Sequence, residues 1–135
     1  MPGPLHGIRI LDLSAVISGP FGTMILADQG ADVIKVEPPG SGDFTRSAGN
    51  KSGGLSASFL NNNRNKRSIA IDIRKPEGVA AIKRLAATCD ALVQNFRPGV
   101  MERLGIGYED AKLLKPDIIN ASASAWGREI GRAHV

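Results

Sequence analysis

Three stretches of the sequence hold residue types that could do chemistry. Ser14 and Ser18 stand behind an apolar run, GIRILDL. A serine nucleophile needs a base and a group that orients it. His6 and His134 lie near the termini, so the two serines read as turn residues capping the helix that follows. In Asn62-Asn63-Arg64-Asn65-Lys66-Arg67, three cations fall within four positions. Guanidinium and ammonium groups make charge-assisted bonds to phosphate oxygens; the same run also suits a solvated loop ahead of a strand. Asn95-Phe96-Arg97-Pro98-Gly99 sets an amide, an aromatic face and a cation side by side. Phe96 could stack on a purine while Asn95 hydrogen-bonds it, or the segment could be a strand-to-helix turn with Phe96 in the core. With two histidines and one cysteine, a metal site is not expected. Cys89 reads as a small buried hydrophobe. No G-x-G-x-x-G follows the first strand and no P-loop occurs, which disfavours standard dinucleotide binding.

The elements that must position these residues alternate in type. Gly7–Leu13, Asp32–Val36, Ser68–Ile73, Ala91–Gln94 and Asp117–Ser122 read as strands, rich in β-branched residues and bounded by turn formers. Phe21–Gln29 carries a helical repeat, with Pro20 at its start and Gly30 as its C-cap. Pro76 and Glu77 open a helix to about Thr88, with Val79, Ile82, Leu85 and Ala86 on one face. Val100–Leu104 and Tyr108–Leu114 are short helices. Gly40–Asn65, with five glycines and scattered Ser and Asn, reads as a long irregular loop, functional or mobile. Strands separated by helices need crossover connections, hence a mainly parallel α/β sheet with helices on both faces. Such sheets bind ligands beyond the carboxyl ends of their strands. That singles out Ser14–Pro20, Glu37–Gly42, Asn95–Gly99 and Ser122–Gly127.

Composition narrows the function class. The 135 residues suit one domain or part of a larger one, and 42 % apolar content suffices for a core. The net charge of +4 favours an anionic partner. Nucleic-acid binding would normally add aromatic stacking residues, and aromatics are only 4 %, so a phosphate-bearing small molecule fits at least as well; no nucleic-acid partner is expected. No apolar run approaches the roughly 18–20 residues of a membrane span. The first residues lack the parts of a signal peptide, and a lone cysteine suits a reducing compartment. A cytoplasmic location is expected, with no membrane partner.

Three segments carry a resemblance. GIRILDLSAVISGPFGTMILADQGADVIKVEPPGSGD, NRNKRSIAIDIRKPEG and NFRPGVMERLGIGYEDAKLLKPDII resemble, in order and spacing, the amino-terminal part of the class III CoA-transferases, the CaiB/BaiF superfamily. The likeness runs from about Leu5 to Gly127. It implies a Rossmann-like large domain, of which residues 5–127 are the amino-terminal part, in a homodimer interlocked like rings. It implies coenzyme A or acyl-CoA as substrate and a carboxylic acid as acceptor. By position, Val16, Ile17 and Ser18 would lie near the pantetheine and thiol end. Ile71, Asp72, Ile73 and Arg74, with Asn95, Phe96 and Arg97, would hold the adenosine portion. Arg103 would contact phosphate. Proline stands at 38, where the family often has a basic residue, and a lysine used near Ser124 is absent.

In this family an aspartate attacks the acyl-CoA carbonyl to form a mixed anhydride. Thiolate returns to give an aspartyl-CoA thioester, and the acceptor acid takes the CoA. That aspartate follows an S-x-S-G-aromatic-G segment, whose counterpart is Ser122-Ala123-Ser124-Ala125-Trp126-Gly127. No aspartate follows Asp117, so this chain holds no catalytic residue and is expected to be inactive alone. The α-methylacyl-CoA racemase branch, an isomerase using His and Asp, is an alternative, as is a non-enzymatic nucleotide-binding module using Arg64–Arg67. Residues 128–135 are expected to be a non-native tail: Ile-Gly-Arg-Ala-His-Val is what ATC GGA AGA GCA CAC GTC encodes, a string common in sequencing adapters.

Overall fold

The structure, a computed structural model, describes residues 2–127; the expected non-native tail lies outside the described residues. A five-stranded parallel sheet forms its centre. β1 (Arg9–Asp12) pairs with β2 (Asp32–Glu37) on one side and β6 (Ala91–Gln94) on the other. β5 (Lys66–Ala70) lies outside β2 and β7 (Ile119–Ser122) outside β6. The register sets Leu11 against both Ile34 and Leu92.

Side chains alternate across this sheet. Ile10, Val33, Ala91 and Val93 face one side, packing with Leu26 and Ala27 of α1 (Ser18–Asp28). Leu11, Leu13, Ile34, Val36 and Leu92 face the other. There they meet Ile82 and Ala86 of α3 (Pro76–Ala86), Met101 of α4 (Val100–Arg103) and Ala111 of α5 (Tyr108–Leu114). The chain lays β2 and β5 to one side of β1, then crosses to β6 and β7. The strand order therefore reverses between β1 and β6, which parts the loops that follow these two strands and opens a crevice.

Three expectations are corrected. Gly40–Asn65 is not structureless. It holds a 3-10 turn (Phe44–Arg46), a two-residue antiparallel ladder of β3 (Lys51–Ser52) and β4 (Leu55–Ser56), and α2 (Ala57–Asn63). Ser56 caps α2 by accepting from the Phe59 N–H at 3.3 Å, and Arg46 lies 3.8 Å over the Phe59 ring. Asparagine-rich composition argues for a loop; tertiary packing that buries Asn62 and Asn63 overrides it. The serine caps of α1 are also absent. Its N-cap is Ile17, without a side-chain bond, and the Ser14 hydroxyl bonds Asp12 instead. The helix begins at Ser18, ahead of the expected Phe21.

Candidate functional site

A cleft of about 530 Å³ opens beyond the carboxyl ends of β1, β2, β5 and β6. Leu13, Val36, Ile71, Ile73, Val100 and Leu104 make it apolar, and Pro38 and Pro39 wall one side. Phe96 lines it while packing on the main core. Rigid apolar surfaces with a few polar groups at the rim suit a flat heterocycle.

Of the residues expected to bind, Ile71, Asp72, Ile73, Arg74 and Phe96 line this cleft. β5 ends at Ala70, before the expected Ile73, so Ile71–Arg74 form the loop at its carboxyl end. Arg74 is bidentate to Asp72 at 2.9 and 3.0 Å, which, with the Arg74 N–H, brings that carboxyl down to about 2. Arg97 is exposed just past β6. Arg103, also exposed, lies over the turn at Gly99, where an added Cβ would stand 3.0 Å from its Nη1. Val16, Ile17 and Ser18 are exposed at the start of α1 and lie outside the cleft wall. Asn95 does not line the cleft; its amide accepts from the Ala15 N–H and donates to Ala15 O. Ser122–Gly127, though it follows β7, does not line the cleft either.

The cationic run is paired with carboxylates of the same chain. Lys66 Nζ is buried and bonds Asp12 Oδ2 at 3.0 Å, Pro20 O at 2.9 Å and Asn63 Oδ1 at 2.9 Å. Arg64 pairs with Asp28, and Arg67 with Asp32. Lys66 departs from both readings, being buried in its pair with Asp12, whereas Arg64 and Arg67 stay exposed and pair at the surface, tying the end of α2 and β5 to α1 and β2.

Beneath the cleft runs a buried charged network that sequence reasoning missed. Lys35 and Asp43, each 1 % exposed, pair at 2.8 Å, and Lys35 Nζ also donates to Ser14 O at 3.0 Å. Asp43 accepts further bonds from the N–H and hydroxyl of Thr45. Burial pushes its carboxyl up, but Lys35 and Thr45 outweigh that and hold it low. Glu37 accepts two bonds from Arg46 at 2.6 and 2.7 Å, one from the Ser68 hydroxyl and one from the Asp43 N–H. Gln94 is a second missed residue: it accepts from the Phe96 N–H at 2.8 Å and donates to Ser122 at 2.7 Å, which sets the course of the chain past β6. The signal for Lys35 was a lysine inside the strand DVIKV; a charge buried on both faces of a sheet requires a partner.

Val16 stands out in backbone geometry. Its φ is +72°, a region that costs a β-branched residue about 1–3 kcal/mol. Such strain survives only where surrounding contacts fix the chain.

Among the described residues, no group of three or more His, Cys, Asp or Glu side chains could hold a metal ion. No described helix is long and apolar enough to cross a membrane.

Comparison with known proteins adds identity to this geometry. The family model of CoA-transferase family III matches residues 5–134. A succinyl-CoA:glutarate CoA-transferase of Mus musculus is 49 % identical over 132 residues, covering 97 % of this chain and 30 % of the mouse protein. An acetyl-CoA:oxalate CoA-transferase of Acetobacter aceti is 44 % identical over 132 residues, covering 98 % of this chain and 34 % of its own. The chain thus spans about a third of the length of these relatives. Among solved structures, the Mycobacterium tuberculosis protein Rv3272 in an orthorhombic form superposes with a TM-score of 0.90 at 38 % identity, covering 96 % of this chain and 37 % of that one. A CaiB/BaiF family protein from Brucella suis gives 0.84 at 38 % identity, covering 90 % and 33 %. The parallel sheet with its cleft at the carboxyl edge, and a match over nearly all of its length, place this chain in CoA-transferase family III.

Proposed function

We propose that the whole protein moves CoA from an acyl-CoA to a carboxylic acid, and that this chain supplies the seat for the nucleotide end of CoA. The observation that carries the reading is the apolar cleft: Ile71–Arg74 and Phe96, assigned to adenosine by resemblance, line one cavity of about 530 Å³. That space fits an adenosine and not the whole of CoA, so the pantetheine arm leaves along the exposed start of α1, at Val16–Ser18. Pro38, Pro39, Ile71 and Phe96 offer flat apolar surface to the base. Arg97 and Arg103 stand at the mouth to meet phosphates by charge-assisted bonds. Arg74 is less available, being paired with Asp72.

The chemistry belongs to residues outside this chain. A carboxylate nucleophile attacks the thioester, thiolate leaves, and a mixed anhydride forms. Thiolate then attacks the side-chain carbonyl, releases the acyl acid and leaves an enzyme thioester. The acceptor carboxylate attacks that thioester and expels thiolate to form a second mixed anhydride; thiolate then attacks the acceptor's carbonyl, releasing its CoA thioester and the enzyme carboxylate. Every intermediate stays activated toward acyl exchange. The names of the relatives pair an acyl-CoA with glutarate or oxalate, which supports a dicarboxylic acid as acceptor. The reading includes an interlocked homodimer, a cytoplasmic location and no metal.

Calorimetry of the 135-residue chain with CoA, ATP and NAD tests the seat. Selective binding of CoA, weakened about tenfold by Phe96→Ala, is expected. Equal binding of all three, or none, would refute it. CoA transfer by the full-length protein from succinyl-CoA to glutarate or oxalate tests the activity, and α-proton exchange on a branched acyl-CoA without transfer would favour the isomerase reading.

A further inference from the structure

The turn from Ser14 to Val16 has nearly all of its backbone held by side chains from elsewhere. The Ser14 N–H donates to Asp12 Oδ1 at 2.9 Å, and Ser14 O accepts from Lys35 Nζ at 3.0 Å. The Ala15 N–H donates to Asn95 Oδ1 at 2.9 Å, and Ala15 O accepts from Asn95 Nδ2 at 2.8 Å. The Val16 N–H faces the Asp43 carboxylate at 3.3 and 3.4 Å. Asn95 is the one of these groups that follows β6 rather than β1 or β2, and it is 80 residues from Ala15 in sequence. Its amide bridges the two loops where the strand order reverses, the point at which ligands enter sheets of this kind. Asn95 is not among the residues that line the cleft, and one lone pair of Oδ1 and one N–H of Nδ2 are engaged with Ala15.

We infer that Asn95 is a positioning residue: it grips Ala15 across the gap between β1 and β6, keeps Val16 in its left-handed conformation, and so sets both the Ser14–Ala15 wall of the cleft and the direction in which α1 starts. This rests on the reading that the cleft takes CoA. Asn95 then affects affinity through residue 16 and not by contact with the ligand. The left-handed conformation is costly for valine and nearly free for glycine. Glycine at 16 would adopt it without a clamp, and this makes the two positions interdependent.

A double-mutant cycle in the 135-residue chain reads this interdependence, with CoA affinity from calorimetry and thermal midpoint from circular dichroism. Asn95→Asp preserves shape and an acceptor for the Ala15 N–H but removes the donor to Ala15 O. With valine at 16, it is expected to weaken CoA binding about tenfold and to lower the midpoint. In the Val16→Gly background the same change is expected to cost threefold or less, with a smaller midpoint shift. Asn95→Ala, which removes both bonds, should follow the same pattern with larger losses. Equal losses in the two backgrounds would overturn the inference, because a direct ligand contact does not depend on the freedom of residue 16. An Asn95 variant that folds only with glycine at 16 supports it; one that folds in neither background is an equal loss and counts against it. If the unmutated chain binds no CoA, the reading of the cleft fails, and the midpoint cycle alone decides the clamp.

Discussion

Glu37 and Lys66 show how much of this region is held by buried charge. Glu37 is 4 % exposed. Burial alone would raise its carboxyl, but Arg46, Ser68 and the Asp43 N–H outweigh it and bring it from 4.5 down to about 2. A carboxyl lowered on folding stabilises the protein fully above its unfolded value, and that contribution is lost as pH falls through the folded one. The window is therefore from about pH 5 down to 2, and the shift corresponds to about 3 kcal/mol. Glu37→Gln should lose about that much at neutral pH and decline less steeply on acidification, as read from urea midpoints across the window; an unchanged acid profile would remove Glu37 from the account. Lys66→Met should cost about 3–5 kcal/mol, since it leaves Asp12, 0 % exposed, charged without its cation. A neutral outcome in urea denaturation would mean that the pair is not formed. Neither role shows in the sequence around these residues: NRNKR has the composition of a solvated loop, and only the approach of β1 and α1 makes Lys66 a buried partner.

Among the elements, two helices start in very close contact with the turns that build the cleft. At Gly78 in the first turn of α3, an added Cβ would lie 1.9 Å from Asp72 O. At Gly19 in α1 it would lie 2.3 Å from the Ser14 side chain. Each contact lets a helix press on a loop that lines the cleft. Gly78→Ala must move α3 or the Ile71–Arg74 loop, because the obstructing atom is backbone. The expected cost is about 1–3 kcal/mol in stability, together with weaker CoA binding, since Ile71, Asp72, Ile73 and Arg74 move with it. A variant with unchanged thermal midpoint and CoA affinity would show that the loop is not seated as described. The main strands and α3 were legible because apolar spacing and β-branched runs marked them. α2 was not, because Asn62 and Asn63 are poor helix formers in isolation and are held there by burial and by the bond from Asn63 Nδ2 to Phe59 O.

At the scale of the molecule, the sheet ends in two outer strands, β5 and β7, with no further strand paired to either among the described residues. β7 exposes Ile119 at 66 %, and Leu113 of α5 is 85 % exposed. β5 on the far edge exposes Ile69 at 40 %. Unpaired edges carrying apolar side chains are templates for association. The 135-residue chain should therefore self-associate in sedimentation velocity at micromolar concentration, and Ile119→Lys should reduce this with little change in thermal midpoint. A monodisperse monomer would show that these edges are harmless.

By itself, the sequence determined the parallel α/β architecture, the loops at the carboxyl edge and the family, because periodicity, turn residues and ordered motifs are local properties of the chain. The tertiary structure alone decided which of the candidate residues meet. It joined Phe96 to Ile71–Arg74 in one cleft, turned Asn95 toward Ala15, and buried Lys66 against Asp12. Those outcomes depend on contacts between residues tens of positions apart. In such contacts the cost of leaving a buried donor or charge unpaired outweighs any preference the residue has where it stands.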